Sequence, residues 1–144
     1  MLSPRTKLKI YKGAVVSIAQ YGCECWHLDE KLQTKLRAWN CRKLVVLSGL
    51  GYREVYNAPP YDLVGAVISR RLKWLGQLLR AKEEFLPRRV AIAEFLAYPE
   101  NRFKGSIFTG APIAELEELI HLARDKANWK VVENRLGSFT MSYR

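Results

Sequence analysis

Arg70, Lys73, Gln77 and Arg80 follow one another at spacings of three, four and three residues, which on a helix places them in one stripe. Guanidinium, ammonium and amide donors in such a row suit phosphate oxygens, a contact that carries charge and hydrogen bonds but no base sequence. Arg71 stands apart. On the same wheel it falls among Leu63, Val67, Ile68, Trp74, Leu75 and Leu78, the face expected in the core, where a cation requires a partner. Glu24, set between Cys23 and Cys25 and beside Trp26, has the complementary problem. The pattern therefore predicts a structural ion pair between Glu24 and Arg71 that ties the first helix to the third.

Other groups with chemical potential fall into poorer patterns. Cys23, Cys25 and His27, with Cys41 further on, carry zinc-ligand atoms, but Cys-x-Cys-x-His does not suit structural zinc, and no metal or other cofactor is expected. No third group orients His27 or His121 as a base for a cysteine nucleophile, so no catalytic residue is expected either. Gly49 and Gly51 bracket Leu50 without a following Lys-Ser/Thr pair, which reads as a helix end rather than a phosphate loop. Trp39 and Trp74 could stack on bases, but both fall on apolar arcs and are expected in the core.

The distribution of charge adds to the argument for an anionic partner. The chain has 144 residues, 49% of them hydrophobic, and a net charge of +10, enough apolar content for a core without disulfides or metal. Residues 1–48 hold nine Lys/Arg against three Asp/Glu, residues 49–89 eight against four, and residues 90–144 seven of each. The excess precedes residue 90 and points to a polyanion bound by that part. Lys7, Lys9 and Lys12, with Lys35 and Arg42, extend the candidate contacts. Three cysteines, an odd number with no secretory signal ahead of them, predict reduced thiols in an intracellular setting, nuclear or cytoplasmic. No apolar run approaches the ~18 residues of a membrane span, so no membrane partner is expected.

The elements that must position these residues are helices. Ser3-Pro4 starts the first, with Leu8, Tyr11, Val15 and Ile18 on one face up to Gly22. Asp29 caps the second, whose apolar arc is Leu32, Leu36, Trp39, Val46 and Leu47, and Ser48-Gly49 ends it. Residues 49–60 read as loop. Asp62 caps the third and most amphipathic helix, running to about Lys82, and Pro87 opens a shorter one to Ala97. Residues 98–112, punctuated by proline and glycine, read as a linker. The tail holds an acidic helix over Ile113, Leu116, Leu119, Ile120 and Ala123, then a last one that Asp125 caps and that contains Trp129, Val132 and Leu136. The expectation is an all-α protein: a basic bundle of three to four helices over 1–97, a linker, and a neutral two-helix tail over 113–144 packed on the bundle.

In order along the chain stand Tyr21-Gly22-Cys23-Glu24-Cys25-Trp26, then Arg71-Leu72-Lys73-Trp74-Leu75-Gly76-Gln77 with Arg80, then Ala123-Arg124-Asp125-Lys126 with Trp129. This succession resembles the region after the palm in reverse transcriptases of non-LTR (LINE-like) retrotransposons. There a Tyr-Gly-x-Glu-x-Trp element precedes Arg-Leu-x-Trp-x-Gly-His-x-x-Arg, and Asp-Arg-x-x-Trp lies near the end. The resemblance is strongest over 5–48 and 68–90. Gln77 departs from the family's histidine, Gly110-Ala111-Pro112 from its Gly-Arg-Pro, and Lys126 from its arginine. It implies a thumb and post-thumb region that lies along the backbone of a template–primer duplex, with RNA, DNA or their hybrid as partner, and leaves open whether a palm-bearing polymerase is supplied in trans.

Polymerisation itself needs carboxylates that hold two divalent metals. Only Glu24, Asp29, Glu30 and Glu54 precede Asp62, none in a palm-like hairpin, and neither the family's endonuclease nor its Cys/His knuckle is present, so the resemblance implies a non-catalytic fragment. Two further readings fit the same residues. One is a helical protein-interaction module whose tail, with Glu115, Glu117 and Glu118, quenches part of the basic face. The other is a retroelement remnant with no nucleic-acid role.

Overall fold

The computed structural model describes residues 2–97, Phe108 and 115–139, and every regular element among them is helical. The fold is all-α. Helix α1 spans Pro4–Ile10, with the Ser3 hydroxyl accepting from the Thr6 N–H as its cap, and continues through a π-helical stretch, Tyr11–Val16, into α2, Ser17–Ala19. Gly22, at φ +68°, turns the chain into a 3₁₀ turn, Cys23–Cys25. Helix α3, Glu30–Ser48, begins at an Asp29 cap whose Oδ1 accepts from the Leu32 N–H at 2.7 Å, and ends at Gly49 with φ +74°. Helices α5, Leu63–Arg80, and α6, Leu86–Ala97, follow, and α7, Leu116–Arg124, and α8, Lys126–Phe139, form the tail.

The structure departs from the sequence expectation at three places. Residues 49–60 are not all loop: Tyr52–Asn57 form a short helix, α4, which buries Val55 and which Glu54 caps by accepting from the Gly51 N–H at 3.0 Å. Six residues are too few for helical periodicity to stand out. On the first helix, Tyr11 and Val16 face the core, whereas Val15 and Ile18 are 41% and 77% exposed. A π turn holds more residues than an α turn and so rotates everything after it, bringing Val16 inward in place of Val15. On α3 the buried line is Asn40, Cys41 and Leu44, and Val46 points out at 78% exposure on the Arg42 side. The proposed linker at 98–112 lies outside the described residues apart from Phe108, which is buried edge-on against Phe95.

Helix α5 is the axis of the molecule. It packs against α3, α6, α7, α8 and the 3₁₀ turn, and Leu63, Val64, Val67, Leu72, Leu75, Leu78 and Leu79 are almost wholly withdrawn from water. At roughly 1.5–3 kcal/mol for each fully buried aliphatic side chain, these contacts dominate the driving force for folding. The tail joins this core through Trp129, whose ring is buried on α5 and whose Nε1 donates to the Leu72 carbonyl at 2.9 Å. Gly76 makes that seat. A Cβ there would lie 2.6 Å from Trp129 Cδ1 and 2.7 Å from Cε2, far inside van der Waals contact. A second buried polar link holds the π-helical stretch to α3: the Tyr11 hydroxyl donates to Asn40 Oδ1 at 2.9 Å, and Asn40 Nδ2 donates to the Tyr61 carbonyl at 2.7 Å. Burial pushes the Tyr11 hydroxyl up to about 12, helped by the neighbouring Tyr61.

Candidate nucleic-acid interface

So much of α5 is buried that only a narrow strip of it reaches solvent, and that strip carries Arg70, Lys73, Trp74 and Gln77. Its positions share one side of the helix by the ordinary three-and-four spacing. Together with Gln20, Glu24, Ala66 and Ser69 these residues line an open cleft of about 500 Å³. Trp74 is 36% exposed rather than in the core. It stands four residues after Arg70, on the border of the apolar face, and a wheel alone does not decide which side such a residue joins.

The ion pair differs from the expected one. Glu24 bonds Arg70, whose Nε donates to Glu24 Oε1 at 2.9 Å, and the predicted Glu24–Arg71 pair is corrected accordingly. Arg71 is fully buried, as its position on the wheel requires, but it is held by backbone: its Nη1 donates to the carbonyls of Cys23, at 3.3 Å, and Trp26. The first of these carbonyls opens the 3₁₀ turn and also accepts from the Trp26 N–H at 3.3 Å, and the second belongs to Trp26, which caps the end of the turn. Burial alone would lift the Glu24 carboxyl, but its own backbone hydrogen bond and the Arg70 guanidinium hold it below the usual carboxylate value. Desolvation pulls Arg71 down from the ordinary arginine value, against the favourable fields of Cys23, Glu94, Cys25 and Glu24. Burial, with Glu24 close by, raises the Cys23 thiol to about 11, while Cys25 two residues on is exposed.

Arg80, the last member of the predicted stripe, leaves it. Half-buried, it donates from Nη1 to the Ala123 carbonyl at 2.8 Å and so ties the end of α5 to the end of α7. It lines a second cleft, which Gln77 also lines. The remaining candidates are spread over other surfaces. Lys9, Lys35 and Arg42 are exposed and Lys7 is half-buried, and Lys12 Nζ lies 4.9 Å from the centre of the Tyr61 ring in a cation–π contact. None of these five lines either cleft. Sequence reasoning passed over Gln20, Arg88, Arg124 and Lys126 as site residues. Arg124 and Lys126 lay within the Ala123–Lys126 element noted for its resemblance, but nothing in that element signals a role in a site.

Among the described residues no three of His, Cys, Asp and Glu gather as metal ligands. Cys23 is buried, and Cys41 Sγ sits 3.8 Å from the Tyr52 carbonyl. No described helix is long and apolar enough to cross a membrane. Comparison of the chain with protein-family models, with curated protein sequences and with solved structures finds no match in any of the three.

Proposed function

We propose that this chain binds the sugar-phosphate backbone of RNA, DNA or their hybrid along the open strip of α5, without catalysing a reaction, as a thumb-like region related to non-LTR reverse transcriptases would. The observation that carries the reading is the strip itself. A helix locked into the core on every other side presents Arg70, Lys73, Trp74 and Gln77 together beside an open cleft. A rigid row of donors next to a half-exposed indole offers what a nucleic-acid strand uses, phosphate contact and a stacking face. The net charge of +10 supplies long-range attraction.

Fluorescence anisotropy of a labelled RNA–DNA hybrid at two salt concentrations tests it. Micromolar binding that weakens as salt rises is expected, and Lys73→Ser should lower the slope of log affinity against log salt by about one. Absence of binding at low salt overturns it. A protein-interaction role is the second reading, and the exposure of Ile18 (77%) and Tyr21 (84%) favours it. Neither residue lines the α5 cleft, and self-association lost in Ile18→Ser with hybrid binding absent throughout would select it.

A further inference from the structure

Beyond Gln77, the end of α5, the start of α6 and the α7–α8 corner border an open cleft of about 710 Å³. That volume lies in the ~300–1,000 Å³ range of small-ligand sites. Arg80, Arg88, Arg124 and Lys126 line it, with Glu83 as the one carboxylate among the described residues. Bringing four cations from three separate stretches of chain together is repulsive unless an anion joins them.

No carboxylate among the described residues forms an ion pair with them. Among the described residues the one ion pair is that of Arg70 and Glu24, so none of the four cations is within 4.0 Å of Glu83. Backbone carbonyls hold the two arginines instead. Arg88, 9% exposed, donates from Nη1 to the Ala81 carbonyl at 2.8 Å, and its buried Nε has no partner among the described residues. Arg80 is anchored in the same way on Ala123. The nearby Asp125 is occupied with starting α8: Oδ1 accepts from the Ala127 N–H at 2.9 Å and Oδ2 from Asn128 Nδ2 at 2.7 Å. Neutral anchors fix guanidinium positions and leave their charge available, the preorganisation that oxyanion recognition requires.

We propose that this cleft is a binding site for a phosphate group, carried either by the end of a nucleic-acid strand or by a free polyphosphate. Arg80 and Arg88 form its fixed wall, and the exposed Arg124 and Lys126 complete it from the tail. The site stands on its own residues and does not depend on backbone binding along α5. Gln77, common to both clefts, would make the two continuous for a strand that uses both.

The test uses the full chain and three probes: inorganic pyrophosphate by calorimetry, and short oligonucleotides with a 5′-phosphate or a 5′-hydroxyl by anisotropy. Arg124→Ser/Lys126→Ser is the informative variant, because both side chains are exposed and the fold does not rest on them. Two lost charge-assisted contacts should weaken binding of the phosphate-bearing probe at least tenfold, with an unchanged circular dichroism melt. A 5′-phosphate preference that the double variant abolishes identifies a strand end. Pyrophosphate binding that the variant weakens, with no such preference, identifies a free polyphosphate. Phosphate binding that survives the double substitution unchanged overturns the site, as does failure of pyrophosphate to bind at millimolar concentration with no 5′-phosphate preference. Binding of the 5′-hydroxyl probe reports separately on the α5 strip, so either reading can fail alone.

Discussion

The two clefts that meet at Gln77 differ in what has already been done with their charge. In the first, Arg70 is paired with Glu24, which leaves Lys73 as the cation without a carboxylate among those lining it. In the second, four cations share the lining with Glu83 and are steadied by carbonyls or left to solvent. A helical wheel ranks the first cleft higher, since its residues recur at regular spacing on one helix. Compensation by partners from elsewhere in the fold reverses that ranking. The lesson is that a basic stripe measures potential for anion binding only after its internal partners are subtracted.

The most severe way to break the comparison is to unseat the tail. Gly76→Ala should force the Trp129 indole off α5, costing about 3–5 kcal/mol in urea denaturation, the scale of losing a buried tryptophan. The second cleft then loses Arg124 and Lys126, while the first keeps all its lining residues. Pyrophosphate binding should disappear and Lys73-dependent hybrid binding should survive. Equal stability of Gly76→Ala and the parent chain would contradict the Trp129 seat.

Arg70 and Arg71 allow a second contrast between adjacent residues of one type. Arg71→Met removes the donor from the Cys23 and Trp26 carbonyls in a fully buried setting and should cost roughly 2–5 kcal/mol. Arg70→Ala breaks a pair whose side chains are 43% and 22% exposed and should cost no more than ~1 kcal/mol. Melting temperatures of the two variants, measured side by side, check the order. Similar losses would mean that the two arginines are not divided between surface and core.

Much of this arrangement is legible in the sequence. The caps at Ser3, Asp29 and Asp62, the span of α5 and the burial of Arg71 all follow from local chemistry and period. The partners are not legible, because they depend on how distant segments meet. Glu24 lies 46 residues from Arg70 and could equally have faced Arg71 next to it. Trp129 and Gly76 stand out in the sequence only as parts of separate elements, and only their contact explains why one is glycine. The π stretch at Tyr11–Val16 escapes a wheel drawn at constant pitch, and with it the inward turn of Val16.

Smaller effects sharpen the charge comparison. Glu24→Gln should free Arg70 and raise hybrid affinity two- to threefold, with a stability loss of at most ~1 kcal/mol at neutral pH. The Glu24 carboxyl is held below its ordinary value of 4.5, so the unfolded chain binds more protons than the native one in that region. The loss on substitution should be complete above pH 4.5 and vanish as pH falls through the depressed native value. A pH-independent difference between Glu24→Gln and the parent would rule out the charge of Glu24 as its cause.

Thiol labelling gives the mildest probe of the 3₁₀ turn beside the first cleft. Cys25 is exposed, whereas Cys23 and Cys41 are buried and Cys23 has its thiol raised to about 11. A thiol reagent at neutral pH should therefore modify Cys25 rapidly in the native protein and reach Cys23 and Cys41 only on unfolding. Fast reaction of Cys23 in the folded chain would mean that the turn opens.

Trp129 also bears on how the protein is made. The Leu72 carbonyl that its indole meets is synthesised 57 residues earlier. At ~5–20 residues per second, α5 waits roughly 3–11 s on the ribosome before its last ring arrives. Throughout that interval Gly76 leaves a bare notch on the central helix. Nascent chains are thus most exposed to chaperones and proteases just before the tail emerges, and a pause placed after residue 97 would lengthen that window without altering a single native contact.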